Sequence, residues 1–158
     1  MDSRTHRVLA VADWSVDPEI VAEALAAHNR RQATLYGLLV PARLSALDWI
    51  GDPKAARPCA CEQLERLRLL SELAGVEIDA ALVGDPEAVP VVEDTLAAWP
   101  AEELLLFERE HRLGLRHPLT AARRVERRTG LPVRRVVVES RDRRRRAPRC
   151  APGLVQAV

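Results

Sequence analysis

The stretch from Glu77 to Glu108 constrains the fold of this chain more than any other. Ile78-Asp79-Ala80-Ala81-Leu82-Val83 is a mostly apolar run of strand length, and Gly84-Asp85-Pro86 is a turn. A helical run then reaches Trp99, and Leu104-Leu105-Leu106-Phe107 is a second apolar strand. Gly84 permits a sharp exit, Asp85 is a capping residue, and Pro86 suits a first helical position. Two strands joined through a helix run parallel, with a right-handed crossover. Leu82 and Val83 give the first strand the character of one buried on both faces. Ligands of open parallel sheets bind beyond the carboxyl ends of the strands. The residues after Val83 and after Phe107 are therefore the first candidates for function.

The same alternation extends over the rest of the chain. Arg7 to Ala12 reads as a strand, and Asp17 or Pro18 opens a helix from about Glu19 to Arg31. That helix carries Ile20, Val21, Ala24, Leu25 and His28 at helical spacing. Ala33 to Val40 is a second strand, ended by Pro41. Ala42 to Pro58 is expected to be an irregular loop with a short helical turn around Leu44 to Trp49. Cys59 to Ala74 is a helix with Leu64, Leu67, Leu70 and Leu73 on one side. Glu62 and Arg66 are spaced to pair within it, and Gly75 stands where a C-terminal cap belongs. Pro90 lacks a backbone donor and pushes the start of its helix beyond Asp85. A polar loop from Glu108 to His117 leads to a last helix, which begins at Pro118 or Leu119 and ends at Gly130. Leu119, Ala122 and Val125 form its inner side, and Arg123, Arg124, Arg127 and Arg128 its outer face. Val133 to Glu139 is a fifth strand. The prediction is an α/β fold, a five-stranded parallel open sheet with helices on both faces. It comprises one domain over residues 1–140 and a basic tail over 141–158 that is expected to be disordered.

Composition narrows the function classes. The chain has 158 residues and is 47% apolar, which suits one core. It has no apolar run long enough to span a membrane. The polar segment Met1 to Arg7 leads straight into a strand, so no signal peptide is expected. Cys59, Cys61 and Cys150 form no disulfide framework and point to a reduced, cytoplasmic setting. A lone Cys-x-Cys is a weak metal signal. The net charge of +1 hides an asymmetry: Met1 to His111 holds 10 basic and 20 acidic residues, and Arg112 to the end holds 14 and 3. Either the two halves neutralise each other within the fold or across a dimer, or the C-terminal part meets an acidic partner. A phosphoreceiver domain would need paired acids after strand 1 and a lysine after strand 5. Asp13 stands alone, and the one lysine, Lys54, lies in a loop. The H-x-G-H, S-G-G-x-D-S and G-x-S-x-G motifs of nucleotidyl transferases, PP-loop enzymes and hydrolases are absent. His111 and His117 have no nucleophile or acid partner fixed beside them and read as exposed loop residues. Trp14, Trp49 and Trp99 read as partial core or pocket lining, and Trp14 could stack a base.

The order of elements, Asp13 directly after strand 1 with Ser15 two residues on, and Gly84-Asp85-Pro86 after strand 3 together resemble the universal stress proteins. The resemblance runs from about Arg7 to Glu139. It implies a Rossmann-like sheet of the adenine nucleotide alpha hydrolase type. Adenosine would sit at the ends of strands 1 and 2, and phosphates on a glycine-rich loop after strand 4, of pattern G-x-x-G-x9-G-[ST]. Asp13 matches the aspartate of strand 1, where it could also cap the first helix, and Val40 falls near the position whose backbone meets adenine. The glycine loop does not carry over. Glu108 stands at the first glycine, His111 at the second, and Ala121-Ala122 at the final pair unless a short shift brings in Leu119-Thr120. Gly114 is the one glycine of the region. Side chains there obstruct the approach of backbone N–H groups to phosphate, and Glu108 and Glu110 add negative charge. Arg109, Arg112 and Arg116 could supply compensating charge.

The resemblance therefore implies a dimeric regulatory or interaction module of the stress response. It would have no catalytic activity and no cofactor, and would not bind ATP in the family manner. The alternative is an ATP- or AMP-binding protein, with slow hydrolysis at most. It would use Asp13, Ser15, Val40, Gly84, Arg109, Arg112, Gly114 and Thr120. Dimerisation is expected through strand 5, Val133 to Val138, although Arg134 and Arg135 would repel across a two-fold axis. The Arg-rich tail is a candidate for an acidic partner or nucleic acid.

Overall fold

The computed structural model describes residues 5–12, 16–42, 56–85, 88–109 and 119–138. Nine elements alternate along the chain. They are β1 (His6–Ala12), α1 (Pro18–Asn29), β2 (Thr34–Pro41), α2 (Ala56–Leu73), β3 (Glu77–Gly84), α3 (Ala88–Ala98), β4 (Glu103–Arg109), α4 (Leu119–Thr129) and β5 (Val133–Val138). The five strands form one sheet in the order β3-β2-β1-β4-β5, and every pairing is parallel. Helices α1 and α2 pack together on one face, α3 and α4 on the other. This is the predicted α/β architecture with helices on both faces.

The period-two alternation of a strand divides the core into two layers. Val8, Ala10 and Ala12 of β1 join Tyr36, Leu38, Val40, Leu105 and Phe107 beneath α1 and α2. Leu9 and Val11 join Leu39, Leu104, Val91, Val92, Trp99 and Val125 beneath α3 and α4. Because β1 is the central strand, both sets are fully buried. Asp17 is the N-cap of α1, its carboxylate accepting from the Glu19 N–H at 3.0 Å, and Pro18 occupies the first turn. Gly75, with φ +81°, ends the helix turn as the sequence predicts. Trp99 lies flat on Gly37 of β2: a Cβ there would come within 2.8 Å of the indole. The indole Nε1–H donates to Asp79 at 2.7 Å, and the Arg7 guanidinium stacks on the ring at 5.6 Å.

Several expectations are corrected. β3 is an edge strand, not one buried on both faces. None of its residues is fully buried, and Leu82 is 38% exposed. Helix α2 starts at Ala56, three residues inside the expected loop, because Ala56 and Ala60 give its first turns a buried side. Leu73 does not join the inner stripe and is 76% exposed. The i,i+4 ion pair within α2 is Arg68–Glu72, at 3.1 Å, and not Glu62–Arg66. Helix α3 starts at Ala88, beyond Asp85 as Pro90 predicted; this puts Pro90 in the first turn, where a backbone donor has no helical partner in any case. Strand β4 continues two residues past Phe107 and takes in Glu108 and Arg109, which pair with Val137 and Val138. Cys59 is disulfide-bonded, against the expectation of a reduced set, while Cys61 is a free, exposed thiol. The turn around Leu44 to Trp49, Trp14, Cys150 and the tail lie outside the described residues. Among the described residues no helix is long and apolar enough to cross a membrane.

Candidate functional site

In this strand order β1 and β4 are neighbours, with Ala12 opposite Phe107 at their carboxyl ends. The chain leaves β1 for α1 on one face and β4 for α4 on the other. Their divergence marks the topological switch point, where a crevice is expected because open α/β sheets bind ligands there. The predicted site residues distribute unevenly about it. Asp13, Ser15, Arg112 and Gly114 lie outside the described residues. Arg109 is the last residue of β4 and Thr120 the second of α4, which places both backbones beside the crevice.

Val40 and Gly84 come together at the far side. Val40 is wholly buried in the α1/α2 layer and pairs with Val83, and the Gly84 carbonyl accepts from the Ala42 N–H at 2.8 Å. Gly84 ends the edge strand. With strands about 4.8 Å apart, β3 stands roughly 14 Å from β4 across the sheet. The bare Cα of Gly84 faces the Val91 side chain, which leaves no room for a Cβ. Close packing of α3 on the sheet thus accounts for this glycine.

Glu108 stands near the carboxyl end of β4. Its carboxylate accepts from Arg135 Nε of β5 at 2.6 Å. Both side chains are substantially shielded, with 17% and 25% of their surface exposed. The carboxylate is therefore held in place and neutralised by a charge-assisted hydrogen bond.

A second polar cluster occupies the opposite, amino-terminal end of the sheet. His6 of β1 lies 2.8 Å through Nδ1 from Glu102 and 3.2 Å through Nε2 from Glu103. His28 of α1 lies 3.7 Å through Nε2 from the same Glu103 oxygen, and Arg134 of β5 lies 3.7 Å from the other. His28 Nδ1 and the buried Tyr36 hydroxyl are 2.6 Å apart. Burial pulls the His28 imidazole below the ordinary histidine range, only partly opposed by Glu103; Arg134 and His6 act in the same direction as burial. Burial pushes the Tyr36 phenol up to about 12. Sequence spacing placed His28 on the inner side of its helix. The convergence of β1, α1, β2, β4 and β5 on it depends on strand order, which spacing does not carry. Among the described residues no group of three His, Cys, Asp or Glu is placed to hold a metal ion.

No protein-family model matches the chain, and no curated protein matches its sequence. Its fold is that of the universal stress proteins. The structure of a universal stress protein from Archaeoglobus fulgidus aligns at a TM-score of 0.56 with 16% identity, over 82% of this chain and 92% of that one. A protein of the same family from Burkholderia pseudomallei aligns at 0.56 with 14% identity, over 86% and 98%. A universal stress protein in complex with cAMP aligns at 0.52 with 12% identity, over 84% and 97%.

Proposed function

We propose that this chain is a universal-stress-type regulatory module that works as a homodimer and does not hold ATP on a phosphate loop after β4. The observation that carries this reading is the Glu108–Arg135 pair. An ATP phosphate at the start of that loop would meet a fixed carboxylate where the family pattern has a bare backbone. Displacing the carboxylate would break a shielded ion pair and leave Arg135 without its partner.

The same pair supports association through β5. This strand is an edge, and Val137 on it is 45% exposed. An exposed apolar edge is a liability that a second strand would cover. Repulsion between arginines across a two-fold axis is the objection to such a dimer. Arg135 is paired with Glu108, and Arg134 faces Glu103, which weakens that objection. Light scattering at micromolar concentration is expected to give a dimer, and Val137→Asp a monomer with an unchanged fold. A monomeric wild-type protein would overturn the dimeric reading.

The second reading is adenine-nucleotide binding in the β1/β4 crevice. It draws on the cAMP complex among the structural neighbours and on the switch point itself. Arg109 and Arg112 would then replace the glycines in meeting phosphate, without a catalytic role being required.

A further inference from the structure

The charge asymmetry of the sequence is partly consumed within the fold. Three arginines of the basic C-terminal part pair with acids of the acidic N-terminal part: Arg128 with Glu93, Arg134 with Glu103 and Arg135 with Glu108. Arg123, Arg124 and Arg127 are not consumed. They are exposed and make no ion pair among the described residues. At 3.6 residues per turn, these three and Arg128 fall within an arc of about 140° on the outer side of α4. Arg123 and Arg127 are separated by about 6 Å along the axis, a spacing comparable with that of successive phosphates along a nucleic-acid strand.

We propose that the outer face of α4 is a nucleic-acid-binding surface that contacts the phosphate backbone without reading sequence. The guanidinium fork is suited to bidentate phosphate contact. The helix Leu119–Thr129 contains no aromatic residue, so the surface has no platform for stacking bases. A lipid surface fits less well. An interfacial helix must release its apolar side into the bilayer, and here Val125 is buried in the α3/α4 layer with 4% exposure.

The test is fluorescence anisotropy of the full chain with a labelled DNA duplex of arbitrary sequence, titrated over a range of salt. Wild type is expected to bind at low salt with an affinity of about micromolar order, indifferent to sequence. The variant R123E/R124E/R127E is expected to weaken binding about tenfold or more. It should also flatten the plot of log affinity against log salt by about 2 to 3, since each phosphate contact contributes about 0.9 to that slope. The control R31E/R57E/R66E makes the same change in net charge at exposed arginines of the turn after α1 and of α2, and is expected to bind within about twofold of wild type. Circular dichroism confirms that both variants are folded. No binding by wild type at low salt would overturn the proposal. So would equal losses in the two variants, which would mean net charge alone, or wild-type affinity in the α4 variant, which would place the contact elsewhere.

Discussion

His28 shows what a single half-buried side chain asks of its surroundings. With the proton on Nε2, the neutral ring faces Glu103, and Nδ1 accepts from the Tyr36 hydroxyl at 2.6 Å. If the ring takes up a second proton, Nδ1 becomes a donor, and the hydroxyl must turn toward the Leu25 carbonyl at 3.4 Å. The charged ring would then be held in a partly desolvated site beside Arg134 and His6, with Glu103 as its anionic neighbour. The folded-state pKa is lowered, so the folded protein binds fewer protons here than the unfolded chain. The contribution of His28 to stability is complete above the ordinary histidine pKa and is lost as pH falls through it toward the folded value. A His28→Gln variant should therefore lose less thermal stability between pH 7.5 and pH 5.5 than wild type. Melting curves at both pH values check this, and equal losses would show that His28 does not titrate against folding.

Helix α2 illustrates which features of an element were readable. Its existence and much of its inner side followed from the spacing of Leu64 and Leu67, which are buried. Its start at Ala56 was missed, because proline and arginine in the first turn resemble a loop. Its end at Gly75 was readable, but Leu73, which continues the leucine spacing, is 76% exposed and not part of the inner side. Leu67→Ala should cost about 2–5 kcal/mol, as a fully buried leucine leaving a cavity does. Leu73→Lys should change stability by less than about 0.5 kcal/mol. Chemical denaturation of the two variants decides the point, and comparable losses would contradict the burial of the helix. β3 carries the same lesson: Leu82 and Val83 made it look central, yet apolar content cannot say where in the order a strand sits. That order is set by which helix crosses to which face.

At the scale of the whole molecule, the alternation of elements made the sheet and its carboxyl-end crevice legible from sequence. What occupies the crevice rim was less so. Glu108 was visible as the residue that replaces a glycine, but it was read as part of a solvated loop. The structure makes it a strand residue held by an arginine 27 positions further on, a partnership that only the β4–β5 register creates. Gly84, expected as a site residue, also faces Val91 so closely that a Cβ would not fit. The fold is that of the universal stress proteins, and the carboxyl end of β4 carries the Glu108–Arg135 ion pair. The most direct measurement is titration calorimetry of nucleotide-stripped protein with ATP. The account predicts no binding heat at micromolar concentrations of protein and nucleotide. Micromolar ATP affinity that is lost in an Asp13→Ala variant would contradict it and establish the crevice as a working nucleotide site.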